Sequence, residues 1–317
     1  MHKLIWPLAI FLLFFSCNSD TKMAQDIGAL DVSVPILRFD KEFGRAHAQD
    51  LPALKAKYPY LFAKQYDDDY WRQKLVDSLQ RELTDEVVRV FPDMKEEQKE
   101  LVHLFKYIKY YYPETTVPKV VAITSEVAFR NKVILADSLL IVALDTYLGK
   151  DHHFYGGIAK YHSKNFRKEQ LVVDVAAAFA KAHTLRPQAS TFLAQMIYEG
   201  QQLYLMEQLL PEHPVYELFG YTPEEYDFAI ENERNVWQNF VASEQLYSTD
   251  SSLLARFIDP APFSKFYLDF DSETPGRLGR FMGYKMVASY MKNNDAPLKT
   301  MLIQPADVIF ASAKYKP

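Results

Sequence analysis

Apolar residues recur along this chain at two spacings, and each change of spacing marks a change of element. In DDDYWRQKLVDSLQREL (67–83), Trp71, Leu75, Leu79 and Leu83 fall four apart. That stripe predicts one amphipathic helix. Asp93 with Glu96 three residues later reads as a helix cap. The helix it opens places Leu101, Leu104, Phe105 and Ile108 on one face, and Pro113 ends it. Between Val117 and Gly149 the period shortens and β-branched residues dominate. Val120–Ile123, Val133–Leu135 and Leu140–Leu144 are predicted as short strands, with Asn131 and Asp137 at the turns between them. VPILRFD (34–40) reads as a further strand ending in an N-cap, Asp40, that starts a short helix.

Helical spacing then returns. Gln170–His183 is apolar at Leu171, Val175, Phe179 and Ala182, and a second helix follows Pro187 to about Leu209. Thr222-Pro223-Glu224-Glu225 combines a cap, a proline in the first turn and acids on the positive end of the dipole. It predicts a helix reaching Glu244. A last helix is predicted from Thr274-Pro275 to Asn293, and Met301–Ile303 as one more strand. The fold class is therefore α+β and mainly helical, with a small central β-sheet packed on helices. No repeat and no Gly-, Ser- or Pro-rich linker divides the chain, so residues 31–317 read as a single domain.

The start of the chain has a different character. Lys3 precedes an apolar run, Leu4–Phe15, broken by Pro7, and polar residues follow Cys17. A charged start, a short apolar stretch and a small residue form a secretory leader. The run falls short of the ~20 residues that span a bilayer. LFFSC looks like a bacterial lipobox. This predicts a lipoprotein signal peptide at residues 1–16, a covalent lipid (diacylglycerol and an acyl chain) on Cys17, and a tether at 17–30. Acyl chains contribute ~0.8 kcal/mol per buried CH₂, so the membrane would be held through lipid. Asn18 supplies no inner-membrane retention signal of the Asp type, which points to the outer membrane facing the periplasm. Cys17 is the single cysteine, which excludes an intramolecular disulfide. The formal net charge of −5 argues against nucleic acid and against an electrostatic grip on anionic lipid.

Candidate chemistry is sparse. His152 and His153 are adjacent and lie in a loop-like stretch. His162, His183 and His213 stand alone, and no two histidines are spaced i, i+4, the spacing by which a helix holds a metal. There is no G-x-S-x-G elbow. Gly276, Gly279 and Gly283 match no phosphate-binding fingerprint and read as close helix packing. The one suggestive motif is Tyr198-Glu199-Gly200-Gln201-Gln202, which has the outline of H-E-x-x-H without its histidines. Neither a phenol nor a carboxamide is a good zinc ligand, so no metal is expected, and Glu199 is the single candidate catalytic residue.

Four blocks occur in order: RFD (38–40), ALDTYLGKDHHFY (143–155), MIYEGQQLYLMEQLLP (196–211) and TPGRLGRFMGYKMVASYM (274–291). With the lipobox, they resemble the gliding motility lipoprotein GldB family of Bacteroidetes. The resemblance implies a membrane-anchored part of a gliding machinery coupled to type IX protein secretion, with other envelope proteins of that machinery as partners. More distantly the blocks resemble predicted zinc-dependent proteases. On that likeness Tyr198 and Gln202 replace the two metal ligands and Glu199 keeps the acid's place. This implies a zincin-like scaffold with a degenerate metal motif, acting by protein or peptide binding. Two other readings stand beside it: a metal-dependent peptidase or hydrolase of the envelope, using Glu199 with Glu231 or Glu233 and a histidine, and a structural envelope protein.

Overall fold

The computed structural model describes residues 17–136 and 138–317. The leader expected at residues 1–16 and the turn residue Asp137 lie outside the described residues. The segment expected as a tether carries a helix, α1 (Cys17–Gly28). It docks on the body: Ile27 is buried, and Lys106 donates to the Gly28 carbonyl at 2.8 Å.

Strand β1 (Ile36–Arg38) runs directly into α2 (Phe39–Gly44). Asp40 is not the cap expected of it; Arg38 holds that position. The Arg38 fork captures the Asp40 carboxylate from Nε and Nη2 at 2.9 and 2.7 Å, and also donates to the Phe91 carbonyl at 2.8 Å. After α3 (Leu51–Lys57), the helix expected over 67–83 is two helices, α4 (Asp68–Val76) and α5 (Ser78–Val90). Asp77 makes the break. Its backbone is extended, and its carboxylate accepts from the Leu79 N–H at 2.9 Å. A short acidic side chain offers the backbone this alternative to a helical bond. The break turns the stripe: Leu75 and Leu83 stay buried while Leu79 is 42% exposed. The next helix, α6 (Lys95–Tyr111), buries Leu101, Leu104, Phe105 and Ile108 as expected.

The sheet adds β2 (Lys119–Ile123), β3 (Val133–Ala136) and β4 (Leu139–Ala143), in the order β1-β2-β4-β3. The β1–β2 and β2–β4 pairs are parallel, and β3 closes one edge antiparallel to β4. Side chains alternate across a strand, which gives the sheet two faces with different cores. Val121 packs with Phe43, Leu51, Tyr58 and Phe62 from α2, α3 and the loop after it. Val120, Ala122, Leu140 and Val142 face the main helical body.

That body follows in sequence: α7 (Lys160–Ser163), α8 (Gln170–His183), α9 (Phe192–Leu209), α10 (Val215–Phe219), α11 (Pro223–Glu231), α12 (Glu233–Ala242), α13 (Ser252–Phe257), α14 (Leu278–Asn293), α15 (Leu298–Met301) and α16 (Ala306–Ala313). Thr222 and Glu225 cap α11 reciprocally at 3.2 and 2.8 Å. The run expected to reach Glu244 breaks at Asn232, whose amide folds back onto the Phe228 carbonyl at 3.0 Å. The last long helix starts at Leu278 rather than at Thr274, because Thr274 is turned inward, its hydroxyl oxygen accepting from the Ser264 N–H at 3.1 Å. Met301–Ile303 is not a strand. It ends α15, with the Met301 N–H on the Pro297 carbonyl at 3.0 Å; three apolar residues carry no period to decide between helix and strand.

Helices α9 and α14 cross at the centre of the body, and glycines make the crossing possible. A Cβ on Gly200 would lie against the Gly283 carbonyl and 2.6 Å from Tyr284 N, and one on Gly283 would overlap the Met196 carbonyl. No helix among the described residues is long and apolar enough to cross a membrane.

Candidate functional site

Glu199 lies on α9 beside this crossing, and its carboxylate is committed. Arg280 Nε, on α14, donates to Glu199 Oε2 at 2.7 Å, and Arg280 is 8% exposed. One turn along, the buried Gln202 turns its amide back onto the Tyr198 carbonyl at 3.1 Å. Burial, then the charge of Glu199, raises the Tyr198 phenol pKa. The alternative ligands are elsewhere: Glu231 is exposed, and Glu233 pairs with Lys285 at 3.0 Å and accepts from the Tyr315 hydroxyl at 2.8 Å. Among the described residues no three His, Cys, Asp or Glu side chains are grouped to hold a metal. The donor set does not fit zinc.

The histidines are likewise dispersed. His152 and His153 stack on each other and reach separate acids of α5, Glu86 at 3.0 Å and Glu82 at 3.2 Å. His183 stacks on Phe179, and His213 lies 3.6 Å from Glu217. The glycines pack closely, as expected: a Cβ on Gly279 would meet the Phe257 carbonyl at 2.8 Å, and one on Gly276 would overlap the Ala261 carbonyl.

His162 leads to the feature that sequence reasoning missed. It lines a cavity of about 790 Å³, walled by the segment leading into β3, by α7 and α8, by the turn at Gly220-Tyr221 and by the start of α14. Five cationic side chains line it: Arg130, Lys132, Lys164, Arg277 and Arg280. Three are balanced. Lys132 pairs with Asp174, which also accepts from the Tyr147 hydroxyl at 2.9 Å. Lys164 meets Glu225 at 2.5 Å, and Arg280 holds Glu199. Arg277 and Arg130 make no ion pair among the described residues. Arg277 is partly buried, sits in the left-handed region at φ 66 before α14, and donates from Nε to the Ile258 carbonyl at 3.1 Å. Burial, with Arg280 next, lowers its pKa to about 9. Burial and then the charges of Arg130, Arg277 and Lys132 lower that of His162, so the imidazole is neutral near pH 7.

Two further features shape the cavity. Along α8, Val173 and Ala177 line it one turn apart with Asp174 beside them; that spacing would suit a metal, but apolar side chains ligate nothing. Gln170, at the head of α8, is 4% exposed, and its Oε1 has no hydrogen-bond partner among the described residues. The wall carrying Phe129, Arg130 and Lys132 is held from below by Asp145. This fully buried carboxylate accepts from Ser125 N at 2.9 Å, Val127 N at 2.7 Å and Ser125 Oγ at 3.1 Å. Glu126 and Val127 between them adopt φ 55 and 59.

The fold and the site together define a mainly helical α+β protein with a cation-lined cavity beside one edge of its sheet. Residues 20–317 match the family model described as "Gliding motility protein GldB", and the chain belongs to that family of gliding motility lipoproteins of the cell envelope. No curated protein and no solved structure matches the chain.

Proposed function

We propose that this protein is a lipid-anchored, non-catalytic component of the gliding machinery, coupled to type IX secretion. It would hold a segment of a partner envelope protein in the basic cavity. One observation carries the reading: the only acid of the motif, Glu199, is tied to Arg280, while the turn of α8 that faces the cavity offers Val173 and Ala177. On this view the zincin-like scaffold persists with Tyr198 and Gln202 in the ligand positions, and binding has replaced chemistry. A fold can outlast its activity.

Deleting the protein is expected to stop colony spreading and to impair secretion. Ala177→Trp, which fills the cavity, should reproduce the deletion at normal protein level. Glu199→Gln keeps an acceptor for Arg280 and should spread as wild type. Normal spreading and secretion after deletion would refute the cellular role. Loss of spreading in Glu199→Gln at normal protein level, or stoichiometric zinc in the purified protein, would refute the non-catalytic one.

The anchor is proposed to be lipid on Cys17, in the outer membrane and facing the periplasm. Cys17→Ala should shift the protein from the membrane to the soluble fraction, since several acyl chains on one residue anchor stably and one marginally. Unchanged membrane retention would rule out the lipid.

A further inference from the structure

The lining of the cavity specifies more than its position. Its five cations are faced by four carboxylates, Asp174 and Asp259 in the wall and Glu199 and Glu225 behind it, a surplus of one positive charge. Arg130 and Arg277 are the two without an ion pair; Arg130 is exposed, whereas Arg277 lies partly buried in the wall, bonds a backbone carbonyl through Nε, and has no carboxylate within ion-pair distance among the described residues. A guanidinium presents paired donors that match an oxyanion, with carboxylate as the planar case. A single surplus charge suits a monoanion over a phosphate dianion.

Gln170 imposes a second condition. Its Oε1 is buried without a partner among the described residues, and an unmet buried acceptor costs about 1–3 kcal/mol. A ligand that satisfies it must donate a hydrogen bond, which neither a phosphomonoester dianion nor a bare carboxylate does; inorganic phosphate keeps a P–O–H of its own and is separated by the test below. A peptide carries both groups: a carboxylate, and a backbone N–H a few ångströms away. The surroundings suit an extended chain. Phe129 and Tyr161 give the wall apolar surface, and the segment Phe129–Lys132 continues into β3, which among the described residues pairs with β4 alone. A peptide leaving the cavity there would run beside an open sheet edge.

We infer that the cavity takes a peptide by its carboxylate, with Arg277 as the anion anchor and Gln170 Oε1 receiving a backbone N–H. The inference rests on the proposed binding role of the same cavity. The test uses full-length protein in detergent and an immobilised library of random hexapeptides in three forms: free C-terminal carboxylate; C-terminal amide with Asp or Glu included; and C-terminal amide with no acid. At least one carboxylate-bearing form should be retained about tenfold over the acid-free amides, a factor set by one charge-assisted contact. The first two forms separate a terminal carboxylate from a side-chain one. Arg277→Met should abolish the preference, and Ala177→Trp should abolish retention. Gln170→Glu, which sets a competing carboxylate in the wall, should also reverse the preference and serves if Arg277→Met melts early. Acid-free amides retained equally, with no effect of Arg277→Met but loss in Ala177→Trp, would overturn the anchor and leave the binding role standing. Retention of no form would overturn both. Binding of inorganic phosphate without any peptide would overturn the peptide assignment.

Discussion

Gly283→Ala is expected to lower the stability by roughly 3 kcal/mol or more, beyond the usual 1–3 kcal/mol of an overpacked core. The reason is the identity of the obstacle. A new methyl on Gly283 overlaps the Met196 carbonyl, which is backbone inside α9 and cannot rotate away as a side chain can. Relief requires α9 and α14 to separate, and both bury most of their length: Met196, Ile197 and Leu203 on one, Phe281, Met286 and Val287 on the other, are at most 1% exposed. Separating them gives up close packing along the whole crossing. For a chain of this size the melting temperature should fall by roughly 5–10 °C. Gly200→Ala opposes the same crossing, since its Cβ lies against the Gly283 carbonyl. The two substitutions should therefore combine less than additively, because either one alone already parts the helices. A melting temperature within a degree or two of wild type for Gly283→Ala would mean that the helices are not in backbone contact there.

The same crossing shows what could be read without coordinates. Glycines inside a helical pattern imply close approach, and at Gly200, Gly279 and Gly283 they mark it. Helices with an uninterrupted period and a chemical stop were legible almost to the residue: α8 between Gln170 and His183, and α6 between its acidic start and Pro113. The strands of the sheet were legible from β-branched runs. The breaks at Asp77 and Asn232 were not, since an apolar period continues across each one and only a local side-chain bond ends the helix. The site was less legible than the fold. Glu199 stood out through its motif, yet what defines its role is Arg280, 81 residues away. The cations of the cavity come from the segment before β3, from α7 and from the start of α14, so no local spacing joins them. A weak signal was present in Arg277 and Arg280, three apart in the Gly276–Gly283 block.

Asp145→Ala should cost roughly 3–5 kcal/mol, the scale of two or three buried donors left without an acceptor, and should also loosen the cavity wall. The carboxylate is fully buried and takes two backbone N–H groups and a hydroxyl from Ser125–Val127. Alanine leaves those donors without an acceptor, at about 1–3 kcal/mol for each that water cannot reach. It also frees a strained turn. Left-handed backbone at a β-branched residue such as Val127 is costly, of order 1–3 kcal/mol, and the Val127 N–H on Asp145 is what holds it there. Once released, the segment is expected to relax and to carry Phe129, Arg130 and Lys132 out of register with α8, so peptide retention should fall together with stability. Val127→Gly separates the two costs: glycine adopts positive φ freely, so in the Asp145→Ala background it should recover part of the lost stability. No recovery would mean that strain at Val127 is not what the carboxylate opposes. The pH dependence has a definite sign. Burial raises the Asp145 pKa, opposed by its hydrogen bonds to Val127 and Ser125, so the native protein keeps this proton at a pH where the unfolded chain has released it. That contribution is fully present below the unfolded value of about 4 and is lost as pH rises through the folded one. The stability of wild type relative to Asp145→Asn, followed by denaturant midpoints from acid toward neutral pH, should therefore decline over that window. A rise instead would show that the three donors outweigh burial, and that the turn is held by an ionised carboxylate throughout.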